Sequence, residues 1–207
     1  MPGFEGRRAF CLNFCSGAQI SRGEDAGSGM ERLEAFLKRA DPAGPAPVES
    51  WDPPYCGDIG LAIARDGTWL YQGSPIRRQA LVKLFARVLR RDADGRTYLV
   101  TPAEKVDVAV ADAPFLAVEM EVSRRGREQT LLFRTNVDDV VRCGKEHPLR
   151  FVVGDPGEGL RPYVLVRGRL EALVTRALVY DLVELATEGP DGRLGLWSDS
   201  AFFPLPS

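Results

Sequence analysis

Two segments of this chain, 97 residues apart, carry the same order of patterns. Residues 80–102 and 177–199 are identical at seven of 23 positions, and each contains an amphipathic run, an Asp-Gly turn and a strand-like run. A strand-turn-strand pattern precedes both segments. We interpret this as an internal duplication that produces two related lobes, with a chance match between common patterns as the alternative. A cleft between two lobes is a favoured position for a ligand.

The apolar runs between these landmarks are short and end at Gly or Pro turns, which is typical of antiparallel sheets. Strands are predicted at 59–64, 68–72, 97–100, 149–153, 163–166 and 194–197, with an antiparallel meander over 106–141. Helices are predicted at 76–91 and 173–187. Ser74 and Pro75 would begin the first helix, because they suit the N-cap and first helical positions. The fold class is therefore α+β, with two structurally related lobes.

The chain divides into four predicted parts. Residues 1–29 lack hydrophobic periodicity, and we expect a disordered extension or a start codon assigned too early. Residues 30–50 should form a short helix and a proline-rich linker. An N-terminal lobe would then occupy 51–105 and a C-terminal lobe 106–207.

Composition excludes several classes of function. His147 is the only histidine, so a multi-histidine metal centre is excluded, and we expect no cofactor. The net charge is -2, so no bulk positive field recruits nucleic acid. No apolar run approaches the roughly 20 residues of a membrane helix, so we expect no membrane insertion. Four cysteines without a CxxC pair indicate a reduced, cytoplasmic protein.

Two cysteines are candidates for thiol chemistry. Cys56 is either a reactive or redox-sensing thiol or a small packed residue, because a reactive thiol needs nearby positive charge. Cys143 lies four residues before His147 and could form a Cys-His dyad with it, which only geometry decides. The glycine-rich stretch 154–159 precedes a strand rather than a helix, so we interpret it as a hairpin loop and not a phosphate loop.

Basic and aromatic residues suggest a binding surface. Lys83, Arg87 and Arg90 or Arg91 follow helical spacing and form one basic stripe. The stripe is a solvated face, an anion site or a docking surface against the other lobe, whose helix has Glu184 and Glu188 at equivalent positions. Tyr163 and Arg167 are separated by two strand periods and should share one face of a strand. An aromatic ring and an arginine together can stack a base and hold a phosphate.

Several short motifs together resemble one known family, the bacterial "domain of unknown function 1285". They are CGDI at 56–59, RDGTW at 65–69, GSPI at 73–76, YLVTP at 98–102, DAPF at 112–115 and RPY at 161–163. The resemblance covers about residues 51–205. It implies a duplicated chain whose C-terminal lobe resembles a pleckstrin-homology fold, with a site for a small, nucleotide-like ligand at the lobe interface and a role in signal transduction. The family has no established enzymatic activity, so no catalytic residue is carried over.

We therefore predict a non-enzymatic, ligand-binding signalling protein. Its ligand-binding residues are expected to be Trp69, Arg78, Asn136, Tyr163 and Arg167. Two alternatives remain open. The protein could be a docking module that binds a protein partner through the pleckstrin-like lobe, or a thiol-dependent enzyme or redox sensor that uses Cys56.

Overall fold

The computed structural model describes residues 46–155 and 157–206. The expectations for residues 1–29, and for a helix in 30–45, lie outside the described residues. The first half comprises β1 (Tyr55–Ile63), β2 (Trp69–Tyr71), β3 (Ser74–Pro75), α1 (Gln79–Arg87), β4 (Leu89–Arg91), β5 (Thr97–Val100) and β6 (Lys105–Val110), after a 3₁₀ turn at Val48–Ser50.

The second half contains one more group of strands. Its elements are β7 (Phe115–Ser123), β8 (Thr130–Thr135), β9 (Val140–Arg142), β10 (Leu149–Val153), β11 (Leu160–Arg167), β12 (Leu170–Val174), α2 (Arg176–Glu184), β13 (Thr187–Glu188), β14 (Leu194–Ser198) and β15 (Ala201–Pro204), with a 3₁₀ turn at Gly126–Glu128. Neither α1 nor α2, at nine residues each, has the length and apolar character to cross a membrane.

The strands build two six-stranded sheets and one three-stranded sheet. The strand orders are β3-β2-β1-β6-β5-β4, β10-β11-β12-β7-β8-β9 and β13-β14-β15. Each six-stranded sheet consists of two antiparallel three-stranded meanders that meet along a central parallel pair, which is β1 with β6 in the first and β12 with β7 in the second. The architecture is therefore α+β, with two sheet-rich lobes.

The duplication predicted from the sequence appears in the order of elements. Three strands, a helix and three strands occur twice, as β1 to β6 around α1 and as β10 to β15 around α2. The repeated Asp-Gly turns also match, since Gly95 and Gly192 have φ values of +81° and +76°, which glycine adopts without a Cβ clash. The sheets differ, because β10–β12 pair with β7–β9 and leave β13–β15 as a separate sheet.

Three predicted elements differ from the structure. Ser74 and Pro75 form the edge strand β3, and α1 starts only at Gln79, because Ile76 donates its N–H to the Trp69 carbonyl and continues the sheet. The second helix starts at Arg176, because residues 170–174 extend β11 as a hairpin. The predicted meander begins one strand later, at Phe115, since β6 pairs with β1 and β5 in the first sheet.

The apolar face of α1 fixes this helix on the first sheet. Leu81, Phe85 and Val88 are buried, and Leu84 is partly buried. The Phe85 ring lies 5.9 Å from the ring of Trp69, centroid to centroid. Burial of one such side chain contributes about 2–3 kcal/mol. The opposite face of α1 is left to meet the second lobe.

Candidate functional site

A cleft of about 490 Å³ lies where α1 of the first lobe faces β9 and β11 of the second. Charged residues from both lobes line it, and four valines form its apolar wall. The lining residues are Lys83, Arg87, Val137, Asp138, Asp139, Val140, Val141, His147, Val166 and Arg167. We call this the interlobe cleft.

Arg167, at the end of β11, connects the two lobes inside this cleft. Its guanidinium donates from Nη1 to Asp139 and from Nη2 to the carbonyl oxygen of Ala86 on α1, the latter at 2.6 Å. The same guanidinium lies 4.9 Å from the ring centroid of Phe115. The planar guanidinium, with its several N–H groups, makes all three contacts at once.

Asp138 is the acceptor of a second contact between the lobes. Its carboxylate accepts hydrogen bonds from Lys83 on α1 and from Nη1 of Arg134 on β8, the latter at 2.9 Å. The hydrogen bond from Lys83 is the main influence that lowers the pKa of Asp138. Asp138 has a φ of +68°, so the turn after Asn136 holds this carboxylate in a conformation that few non-glycine residues adopt.

His147 completes the polar lining of the cleft. Its Nδ1 lies 3.1 Å from the carbonyl oxygen of Leu165. A carbonyl oxygen only accepts, so Nδ1 is the donor in this contact. Arg87 faces the same cleft from α1. The sequence identifies His147 only as the single histidine and as a possible partner of Cys143, and it does not place this residue in the cleft.

Of the five predicted ligand-binding residues, only Arg167 lines the interlobe cleft. Tyr163 does not share its strand face with Arg167, because a register shift between Leu165 and Arg167 inserts one residue into β11. The Tyr163 hydroxyl instead donates to Asp112 at 2.9 Å, and the Arg150 guanidinium lies 4.1 Å from the Tyr163 ring. Burial, followed by the Asp112 hydrogen bond, raises the pKa of Tyr163 to about 12.

The other three predicted residues lie elsewhere. Trp69 is 1% exposed in the core of the first lobe, and its Nε1 has no hydrogen-bond partner among the residues described. Arg78 is exposed at the start of α1, at the opposite end from Arg87. Asn136 accepts a hydrogen bond from the Leu116 N–H at 3.1 Å and lies against Gly67 of the first lobe, so it belongs to the junction between the lobes.

The basic stripe predicted on the first helix is shorter than expected. Lys83 and Arg87 lie on α1, but the helix ends at Arg87. Arg90 lies in β4 and is buried, where its Nη1 donates to the carbonyl oxygens of Val48 and Trp51, both at 2.7 Å. Arg90 therefore anchors the start of the described chain to the first sheet, and only the two helical residues reach the cleft.

The thiols differ in their surroundings. Cys56 is partly exposed on β1, and its Sγ donates to the Pro54 carbonyl at 3.5 Å. Cys143 is buried, and burial raises its pKa to about 12, so it does not supply a thiolate to a dyad with His147 at neutral pH. The residues described hold no group of three or more His, Cys, Asp or Glu side chains that could bind a metal ion.

The comparisons with known proteins agree with this architecture. The family model "Domain of unknown function (DUF1285), N-terminal domain" matches residues 46–113, and "Protein of unknown function (DUF1285), C-terminal domain" matches residues 114–205. A search of the curated proteins found no match.

Two solved structures of this family resemble the chain. A DUF1285 family protein from Silicibacter pomeroyi DSS-3 is 48% identical, with a TM-score of 0.78 over 84% of this chain and 93% of that one. A DUF1285 family protein from Shewanella baltica OS155 is 27% identical, with a TM-score of 0.48 over 61% of this chain and 91% of that one. The two family models span nearly all the described residues, so this chain belongs to the DUF1285 family.

Proposed function

We propose that the protein binds a small anionic ligand in the interlobe cleft, without transforming it. The charge of the lining is the main support for this proposal. Lys83, Arg87 and Arg167 face the carboxylates of Asp138 and Asp139. Both carboxylates already accept from cations, and Asp138 accepts from two of them. With three cationic side chains against two carboxylates, the lining still has a net positive charge that would attract an anion.

The apolar wall narrows the class of ligand. Val140 is 67% exposed at the cleft, whereas the other three valines of its wall are buried. A ligand with a flat apolar part could cover these side chains while its anionic part meets the arginines. The volume of about 490 Å³ lies within the range of about 300–1,000 Å³ typical of small-molecule sites. A nucleotide-like molecule combines both properties and is the class we propose.

The residues that line the cleft are arranged for binding and not for a chemical step. Asp138 and Asp139 are each held in ion pairs, so neither is poised as a free general base. The single histidine uses one ring nitrogen to bond Leu165. Because the two walls of the cleft come from different lobes, ligand binding would be coupled to the relative position of the lobes. A signalling role, a pleckstrin-like C-terminal lobe, a cytoplasmic location and a bacterial source remain predictions.

A thermal-shift screen tests the proposal. Wild-type protein is heated with a panel of nucleoside mono-, di- and triphosphates and of aliphatic dicarboxylates. A compound at 100 times its dissociation constant should raise the melting temperature by about 5–10 °C. Arg87→Ala should reduce that shift, whereas Arg193→Ala, which removes an exposed ion pair with Asp191, should leave it unchanged. A panel without any shift, or equal shifts in both variants, would refute binding at this cleft.

A further inference from the structure

A second cavity, of about 520 Å³, lies at the C-terminal end of α2. It shares no lining residue with the interlobe cleft. The lining comes from β7, the turn before β8, the end of α2 and β13, and comprises Met120, Val122, Arg125, Gly126, Gln129, Asp181, Glu184, Leu185 and Thr187. We call this the helix-end cavity. Its volume lies within the range of about 300–1,000 Å³ typical of small-molecule sites.

The charged lining of the helix-end cavity is acidic. Asp181 and Glu184 are both exposed on α2, and neither forms an ion pair with any residue that the structure describes. Arg125 is the one cation among the described lining residues, and it pairs with neither carboxylate. Two acids against one base leave the lining with a net negative charge, which would attract a cation.

The end of α2 adds to this preference for a cation. The last carbonyl groups of a helix carry a partial negative charge, which basic residues in the last turn usually complement. α2 has no basic residue in its last turn and ends on Glu184. The equivalent residue of the first helix, 97 positions earlier, is Arg87, which lines the interlobe cleft. The duplicated helices therefore present opposite charges to two different cavities.

Gln129 provides an uncharged acceptor in the same cavity. It lines the cavity although it is only 3% exposed. Its Nε2 donates to the carbonyl oxygen of Trp197 at 2.9 Å, which fixes the orientation of the amide because a carbonyl oxygen only accepts. Oε1 accepts no hydrogen bond from the described part of the chain and is not sealed from solvent. Since a nearly buried acceptor gains from a partner, Oε1 is available to a donor in this cavity.

We propose that the helix-end cavity binds a small organic cation, an ammonium or guanidinium group on an apolar stem. The cationic group would donate to the carboxylates of Asp181 and Glu184 and to Oε1 of Gln129, and the stem would cover Met120 and Val122. An organic cation fits better than a metal ion, because the described residues hold no group of three or more His, Cys, Asp or Glu side chains that could bind one. This site is independent of anion binding in the interlobe cleft.

An NMR titration of the full chain with n-butylamine, n-butylguanidine and neutral n-butanol tests this proposal. The two cations should bind saturably and shift the side-chain amide signals of Gln129, whereas the alcohol should not. Added salt should weaken the binding, because it screens exposed charges. N-acetyl-lysine methylamide carries the same ammonium and stem on a peptide backbone. Tighter binding of this compound than of n-butylamine would assign a lysine side chain as the natural ligand, and weaker binding would assign a free amine; both support the cation site.

Three variants locate the cation. Glu184→Gln should weaken binding of n-butylguanidine about threefold, the size expected for one exposed charge pair. Arg125→Gln should tighten it, because the change removes a like charge from the lining. Glu146→Gln is the charge-matched control, since Glu146 is exposed and lies outside the lining, and it should leave binding unchanged. The proposal would be overturned if no cation bound saturably, if the two glutamate variants behaved alike, or if Arg125→Gln weakened binding.

Discussion

The guanidinium of Arg167 donates a hydrogen bond from Nη2 to the carbonyl oxygen of Ala86, at 2.6 Å. This bond joins the end of β11 in the second lobe to α1 in the first. Nη1 of the same side chain donates to Asp139. Arg167 therefore connects the two lobes and also lines the cleft that we propose as the ligand site.

Removal of the Arg167 side chain should destabilise the fold. Arg167→Ala removes the cationic partner of the Asp139 carboxylate and one of the donors to the Ala86 carbonyl, so the free energy of unfolding should fall by about 2 kcal/mol. Urea denaturation measures this change. As a control, Arg142→Ala removes an exposed pair with Asp199 at 3.9 Å and should cost less than about 1 kcal/mol. Equal losses in the two variants would show that Arg167 does not hold the lobes together.

Gly67 is the second position where the lobes meet closely. It has a φ of +79°, and a Cβ there would lie 2.8 Å from Nδ2 of Asn136 and 3.0 Å from Cδ1 of Leu116. Gly73 has nearly the same φ, +78°, with open space around it. Both glycine-to-alanine changes should cost about 1 kcal/mol in backbone strain.

Gly67→Ala should cost about 1–2 kcal/mol beyond Gly73→Ala, because the new methyl group must displace side chains of the other lobe. Chemical denaturation of the two variants under the same conditions gives the difference. If Gly73→Ala destabilised the protein as much as Gly67→Ala, the close contact between the lobes at Gly67 would not account for any of the lost stability.

Tyr163 should make stability depend on alkaline pH. Its pKa in the folded chain is raised to about 12 from an ordinary value of 10.0, so the fold favours the protonated phenol. This contribution is fully present below pH 10 and is lost as the pH rises through about 12. The free energy of unfolding should therefore fall over that interval, and less steeply in Tyr163→Phe. Identical pH profiles for the two proteins would contradict the assignment.

Cys143 should be unreactive until the protein unfolds. With a pKa of about 12, only about one thiol in 10,000 is ionised at pH 8, and the side chain is also buried. In a chain whose other three cysteines are serine, Ellman's reagent should label Cys143 only after denaturant is added. A chain that keeps Cys56 alone should react in its native state, because Cys56 is partly exposed. Fast native labelling of Cys143 would revive the dyad with His147.

The sequence predicts well the features that depend on local chemistry. The Asp-Gly turns at Gly95 and Gly192 and the hairpin around 154–159 are fixed by turn residues, and both are present. The helix start predicted at Ser74 and Pro75 is wrong. The same two residues suit a helix start and an edge strand, and only their pairing with β2 decides between the two. The parallel pairs at the centre of each sheet join strands distant in sequence and leave no local signal.

The candidate site is less predictable than the fold. The sequence names Arg167 as a ligand-binding residue, but it leaves Lys83 and Arg87 as a basic stripe whose role stays open. All three line the cleft. The separation of Tyr163 from Arg167 depends on one extra residue in β11, which strand periodicity does not reveal. Asp138 and Asp139 enter the site through a turn with a positive φ, which the sequence does not mark by a glycine.

His147 provides the most direct test of the proposed function, because it is the only histidine and it lines the interlobe cleft. Its imidazole C–H signals can be followed by NMR, without ambiguity of assignment, while nucleotides are added to the full chain. We predict that at least one nucleotide shifts these signals in a saturable manner, and that Arg87→Ala weakens the response. Signals that stay fixed across the whole nucleotide panel would contradict ligand binding in the interlobe cleft.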